Sequence, residues 1–509
     1  MNGLGSALSI ATEGLAVINQ QLGLVSNNVA NANTPDYSSE TANQESIVAA
    51  GQGLGVSSEP ATRQINLQLQ QSLFQQDTAV SGLTTTTNGL QDINALLGSP
   101  GAGDDLSSLL GNVQTAFSTL LGDPSNAAQQ TAVVQSASTL TNSINALSNA
   151  YDQQRQATQN DVVTQVTNMN SDLSQIGTLN NQIAIAQVQG QSTASLDNQR
   201  DSVVHSLSNI LSIQTLVQPN GILLVSTTSG TQLPTVTGGT PVQTTPVTVG
   251  PQGTYTNFAI PPITVAGEDI TSQTQGGQLG ADITLRDTTL PTFQGELDEF
   301  SQSLASRFQA QGLTLFSDPN GNVPPGNEIP AQAAYVGFAS EIQVNPTVLA
   351  DPSLVRDGTN DIAGSPTGAA QFTVNPPGGP AGFTTLINNI LDYALGSEAQ
   401  QGVPQTPLNT TELGPDGTLT APYGPPATLG EEATAVVSAQ AAVSSSASSQ
   451  LSAEQAVQTN LANNMATVSG VSMDTQMSLM IQLENAYGAN ARVIATVQSL
   501  FTQLETVVQ

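Results

Sequence analysis

The residues able to do chemistry in this chain are few, and their spacing offers no catalytic pattern. His205 is the only histidine among 509 residues and there is no cysteine. A multi-histidine or cysteine-bearing metal centre is therefore impossible. A Ser-His-Asp triad would have to use His205, which no Gly-x-Ser-x-Gly elbow accompanies. "GQGLG" (Gly51, Gly53, Gly55) echoes a phosphate-binding loop but lacks its lysine, the strand before and the helix after, so a plain loop is expected. "DPNGN" (Asp318, Asn320, Asn322) resembles the start of a calcium loop. Its glycine falls fourth instead of sixth, and Ile329 occupies the twelfth place, where glutamate is needed. Asp104-Asp105 and Glu431-Glu432 lie near expected helix starts, where acids complement the helix dipole. No paired-acid motif of the kind a glycan hydrolase uses stands out. No catalytic, cofactor-binding or metal residue is assigned.

Arginine is the scarce and informative type. The seven cations are Arg63, Arg155, Arg200, Arg286, Arg307, Arg356 and Arg492, against 38 acids, for a net charge of -31. Such a chain cannot neutralise phosphates, so neither nucleic acid nor an anionic membrane is an expected partner. Arg200-Asp201 and Arg286-Asp287 read as structural anchors. Helix neighbours point apart, so each is expected to bond another helix, within the bundle or between subunits. His205 is expected at a surface or interface.

The elements that must position these groups are mainly helical. Leu4, Leu8, Ala11, Leu15, Ile18, Leu22, Val25 and Val29 recur at alternating steps of four and three, a heptad seam. Gly14 and Gly23 weaken that helix by about 1 kcal/mol each relative to Ala, so its stability must come from a partner helix. The other end supplies one: Met477, Met480, Tyr487, Ala491, Ile494, Phe501 and Leu504 follow a similar spacing, with Glu484 on the seam. After the first helix, Asn27, Asn28, Asn31 and Asn33 favour turns, and Pro35 holds Thr34 extended. The chain is expected to stop and turn there.

Those last residues carry a resemblance. "SNNVANANTPDY" resembles the shared signature of bacterial flagellar rod, hook and hook-associated proteins, with Asn33, Thr34 and Tyr37 matching. Asp36 stands where glycine is usual, and Asp accepts positive φ less readily than Gly. "LLGDPSNAAQQTAVVQSASTLTNSINALSNAYDQQR", "LDNQRDSVVHSLSNILSI" and "GGQLGADITLRDTTL" resemble segments of the hook-associated protein 1 family. "VSGVSMDTQMSLMIQLENAYGANARVI" resembles the axial-protein C-terminal signature through Ser469, Gly470, Val471 and Asp474. The resemblance implies a non-enzymatic structural subunit at the hook–filament junction, extracellular, and exported unfolded without a cleaved signal peptide. It implies a homo-oligomer in a ring or helical junction. Hook protein, a neighbouring hook-associated protein and an export chaperone would be partners, and no cofactor is involved. A hook or rod protein is the alternative.

The expected fold is mainly α with β-rich inserts: terminal coiled-coil helices outside, a helical bundle next, β-rich matter within. The expected divisions are 1–60 (stem helix and extended crossing segment), 61–215 (helical bundle), 216–280 (β-rich insert) and 281–311 (helix). Then come 312–427 (mixed loop and strand insert with connector) and 428–509 (helices pairing with the stem and bundle). Val, Thr and Gly enrichment from Leu216 onward suggests strands and turns. Gly177 is expected to bend a helix over about 125–189.

Overall fold

Helical periodicity governs the chain, as a computed structural model describing residues 2–49, 52–98, 103–236, 239–326, 330 and 332–508 makes plain. The fold is mainly α, with short strands only. Helix α1 (Asn2–Ala30) leads into strands β1 (Glu40–Thr41), β2 (Gln44–Ala49), β3 (Gln52–Ser58) and β4 (Thr62–Arg63). Helices α2 (Leu67–Leu97), α3 (Leu106–Gly122), α4 (Ala127–Val188) and α5 (Ala194–Ile210) follow. Next are β5 (Ile213–Val217), β6 (Leu223–Thr227), β7 (Thr264–Val265) and β8 (Glu268–Asp269). Helix α6 (Gly277–Thr284) passes through a π-helical turn at Leu285–Thr289 into α7 (Leu290–Ala310). Small elements then alternate: β9 (Phe316–Ser317), α8 (Phe338–Glu341), β10 (Gln343–Val344), α9 (Pro346–Ala350), α10 (Leu354–Asp357), α11 (Thr385–Asn389), β11 (Glu398–Gln400) and β12 (Val403–Pro404). Two long helices close the chain, α12 (Leu429–Ser469) and α13 (Met473–Val508).

Helix starts follow from side-chain chemistry. Asp105 caps α3 by accepting from the Ser108 N–H, and Asn126 caps α4 through the N–H groups of Ala128 and Gln129. Thr428 and Glu431 form a reciprocal capping box on α12. Glu432 lies with its neighbour in the first turn of α12, and its side chain is buried. Helix α4 spans about 90 Å at 1.5 Å per residue and runs through Gly177 without a break.

Its length lets α4 serve two cores. The first half, with Val133, Leu140, Ile144 and Tyr151, packs with α3, α7 and the start of α12. The second half, with Val162, Met169, Leu173 and Ile183, packs with α5, β6 and α6. A third and much smaller core joins α1 to α13: Ile18, Val25 and Leu483 are buried, flanked by Leu22, Val29, Met480 and Ala486. Helix α12 lies along α2.

Every sheet among the described residues is a two-stranded antiparallel ribbon. Between 216 and 280, strands cover little of the chain and the proline-bearing remainder runs as loop, because proline cannot donate to a ladder. The expected extended segment around "GQGLG" contains a hairpin, with β2 paired to β3 from Gln44↔Ser58 to Ala49↔Gln52. Gly51 lies outside the described residues, as do 99–102 of the break before α3 and Ile329. Gly55 is not a loop glycine. A Cβ there would meet the end of the Glu13 side chain, so the hairpin lies close against α1 at this position.

Candidate functional site: the stem–body junction

Helix α1 ends where Asn28 becomes a structural hub. The Asn31 N–H still bonds the Asn27 carbonyl at 3.0 Å, and the Thr34 and Tyr37 amides then close turns onto Asn31 and Thr34. The Asn28 side chain is buried. Its Nδ2 donates to the Glu40 carbonyl at 2.9 Å and to Gln476 Oε1 at 3.3 Å. Its Oδ1 accepts from the Glu40 amide and from the Tyr37 hydroxyl, each at 3.0 Å. All four hydrogen-bonding positions of one carboxamide are filled. Asn28 thus acts as a strand partner for residue 40, and fixes the angle at which the stem leaves the body. Asn27 and Asn33 are exposed, and Thr34 Oγ1 bonds Asn31.

The crossing segment is tied on its other side to α5. Asn198, also buried, holds the Ser38 amide (3.2 Å), the Ser38 carbonyl (3.1 Å) and Glu40 Oε1 (3.1 Å). Arg63, paired with Glu40 across β1 and β4, forms an ion pair with Asp201, which also accepts from Gln70 at 2.9 Å. Burial pushes the Glu40 carboxyl up from its ordinary range, against the Asn198 bond and the Arg63 charge. Burial, with the Glu40 charge added, raises the Tyr37 phenol to about 12. The α12–α13 break enters the same cluster: the Ser39 amide bonds the Ser469 carbonyl at 2.9 Å, and the Asn66 amide bonds Ser469 Oγ at 3.2 Å. Segments 403 residues apart in sequence therefore meet at one point. Of the other signature residues there, Gly470 and Val471 line the adjoining groove, while Asp474 is exposed in the first turn of α13.

His205 departs from the sequence expectation. It is a clamp: Nδ1 lies 2.7 Å from Asp36 Oδ2 and Nε2 lies 2.9 Å from Asp77 Oδ2. The ring stacks on Phe74, with centroids 5.0 Å apart and planes 7° from parallel. Gln458 of α12 donates to the second oxygen of Asp77 at 2.7 Å. Burial opposes a charged ring here, but the bonds and charges of Asp36 and Asp77 overcome it and raise the imidazolium to about 9. Asp36 adopts φ 63, the left-handed region that suits the glycine usual at this place. The carboxylate of this strained aspartate is held by His205. The two oddities of the sequence, its lone histidine and an aspartate in a glycine position, are one feature. An open groove of about 540 Å³ adjoins the clamp, between the 32–38 turn and α12.

The two Arg-Asp anchors split differently than expected. Arg200 bonds Asp197, Asn180 Oδ1 and the Gly221 carbonyl, and leaves Asp201 to Arg63. Arg286 instead grips its own neighbour Asp287 with two bonds of 2.8 and 2.7 Å. The arginine arm is long enough to curl back, and it lies in the π-helical turn, where backbone spacing differs from an α-helix. Its remaining nitrogen bonds Gln159 of α4 at 2.6 Å, and Arg155 donates to the Arg286 carbonyl at 2.8 Å. The glycines of "GGQLG" have a packing reason. Gly276 and Gly277 have φ 69 and 61, and a Cβ on Gly277 would sit 2.5 Å from the Ile210 carbonyl oxygen.

The stem seam is placed as follows. Ala11, Ile18 and Val25 are buried, and Leu4, Leu8, Leu15, Leu22 and Val29 are partly covered. On α13, Met480, Ala491, Ile494 and Phe501 are half-buried, while Met477, Tyr487 and Leu504 are exposed at 47%, 43% and 40%. Leu483 faces α1 in place of its neighbour Glu484, and Val497 is buried about one helical turn after Ile494. Gly14 allows close approach to α13: a Cβ there would be 3.2 Å from Asn490. "DPNGN" forms a turn in which Asp318 accepts from the Asn320 and Asn322 amides. Among the described residues there is no group of three or more His, Cys, Asp or Glu side chains able to hold a metal ion. No described helix is long and apolar enough to cross a membrane.

The chain is similar to known flagellar proteins. Residues 90–323 match the family described as flagellar hook-associated protein FlgK helical domain. Residues 462–507 match flagellar basal body rod FlgEFG protein C-terminal. Flagellar hook-associated protein 1 of Salmonella typhimurium is 27% identical over 63% of this chain, and the match spans 58% of that relative's length. The protein of that name from Escherichia coli is 22% identical over 98% of this chain and 99% of its own. The solved flagellar hook junction protein FlgK from Burkholderia pseudomallei shares 29% identity over 50% of this chain and 45% of that one, with a TM-score of 0.40.

Proposed function

The chain belongs to the flagellar hook-associated protein 1 family, and on that premise we propose that it is a structural subunit joining hook to filament in the bacterial flagellum. The observation that carries this reading is the order of the matches: a hook-associated helical domain inside, and an axial-protein segment on the last helix. The subunit acts by shape and contact, not by turnover. Its partners are copies of itself in a ring or helical junction, hook protein, a neighbouring hook-associated protein and an export chaperone. It works outside the cell and travels there unfolded.

The stem supports a mechanism of folding coupled to assembly. Helices α1 and α13 span 29 and 36 residues, yet among the described residues their buried apolar side chains are few: Ala11, Val17, Ile18 and Val25 on α1, Leu483 and Val497 on α13. The pair needs further cover, and Met473, Met477, Ile481 and Leu500 remain exposed on α13 to receive it. Neighbouring subunits supply that cover as the stems pack, and the large cores around α4 fold independently of it.

Deleting the gene in a flagellated host tests the reading. Hooks should remain, filaments should be lost, and flagellin should appear in the medium. Normal filaments in the deletion strain would overturn it.

A further inference from the structure

Six of the seven arginines are anchored inside the chain. Arg63, Arg200, Arg286 and Arg356 pair with aspartates. Arg155 and Arg307 donate to backbone carbonyls, Arg307 to Ala427 at 3.0 Å and Thr406 at 3.1 Å. Arg492 is different. It is exposed on α13, and among the described residues no carboxylate or carbonyl lies within bonding reach of its guanidinium. At about 100° per residue, Ile481, Asn485, Gly488 and Thr496 share its face of the helix, turned away from Leu483 and Val497. Ile481 is 56% exposed, and Gly488 has no atom within 4 Å of where a Cβ would stand. This face combines one cation, exposed apolar surface and open ground for a close neighbour.

Resting on the proposed function, we infer that Arg492 is an intersubunit anchor that binds a carboxylate on the stem of an adjacent copy. Charge complementarity selects that occupant. The two stem helices carry Glu13, Asp474, Glu484 and Glu505 and no cation other than Arg492. Stacked stems therefore repel unless each places its arginine against a neighbour's acid. In a ring or helical junction each arginine meets the acid of the next copy, a head-to-tail contact that repeats around the assembly. Removing water from the pair as the apolar rim closes makes a bidentate arginine–carboxylate bond stronger than an exposed one. The other anchored arginines leave no second cation on the stem for this task.

The test uses the full chain expressed in the deletion strain. It measures the fraction retained on sheared flagella against the fraction free in the medium, with circular dichroism of purified protein as the folding control. Arg492→Glu and Arg492→Gln should fold as wild type and reach the medium, but be retained at least about tenfold and threefold less, respectively. Reversing Asp474, Glu484 or Glu505 to arginine in the Arg492→Glu background should restore retention for one of the three. Retention of both single variants at the wild-type level overturns the inference, as does failure of every reversal to rescue. If the wild-type chain is itself absent from the flagella, the proposed function fails instead, so the two failures are distinguishable.

Discussion

Replacing His205 with glutamine should convert the stem–body junction from a charge-balanced clamp into two facing carboxylates. The imidazolium rises from 6.5 to about 9 in the fold, despite burial, because Asp36 and Asp77 bond both nitrogens. At about 1.4 kcal/mol per pH unit, that rise corresponds to about 3 kcal/mol of stability. A raised cationic pKa gives stability that is complete below 6.5 and is lost as pH rises through about 9. The wild type should therefore exceed His205→Gln in urea unfolding at pH 6 by about 3 kcal/mol on top of a pH-independent loss of stacking. By about pH 10 the difference should shrink to the constant loss of stacking on Phe74. With one histidine in the chain, its NMR resonance titrates without overlap and should show a midpoint near 9. Asp36→Gly restores the residue suited to φ 63 but removes one carboxylate, and should move that midpoint down. A midpoint at or below 6.5, or a stability gap unchanged from pH 6 to 10, would refute the clamp.

Asn28→Ala should cost about 2–4 kcal/mol by leaving the Glu40 backbone and the Tyr37 hydroxyl unpartnered, read as faster hydrogen exchange at the Glu40 amide. Gly277→Ala should destabilise by about 2 kcal/mol or more, since it adds left-handed strain and a contact with the Ile210 carbonyl; thermal melts check it. Burial raises Glu296 and Asp298 to about 7. A carboxyl raised in the fold costs stability as pH climbs from its unfolded value through about 7, so Glu296→Gln should reduce the fall between pH 5 and pH 8 by about 1–3 kcal/mol. Leu15→Asp and Ile494→Asp put a charge into the α1–α13 interface and should block incorporation into flagella while the α4 cores stay folded; motile cells carrying either change would count against the stem's role.

Much of the architecture was legible because helices announce themselves through local periodicity. The seam of α1, the long α4, the break at Ser469-Gly470 and the turn after Asn28 all follow from residues close in sequence. The signature segments likewise marked which stretches matter. What they do there depends on contacts across hundreds of residues. Nothing in the spacing of Asp36, Asp77 and His205 tells that three separate elements converge on one ring. The same holds for Gly55: only the fold shows that this position lies against the Glu13 side chain of α1. Sequence by itself determined where the long helices run and where they stop, since helix and turn energies are set by neighbours three or four residues away. Tertiary structure alone decided which polar groups pair, because desolvation forces each buried donor, acceptor and charge to find a partner wherever in the chain one arrives.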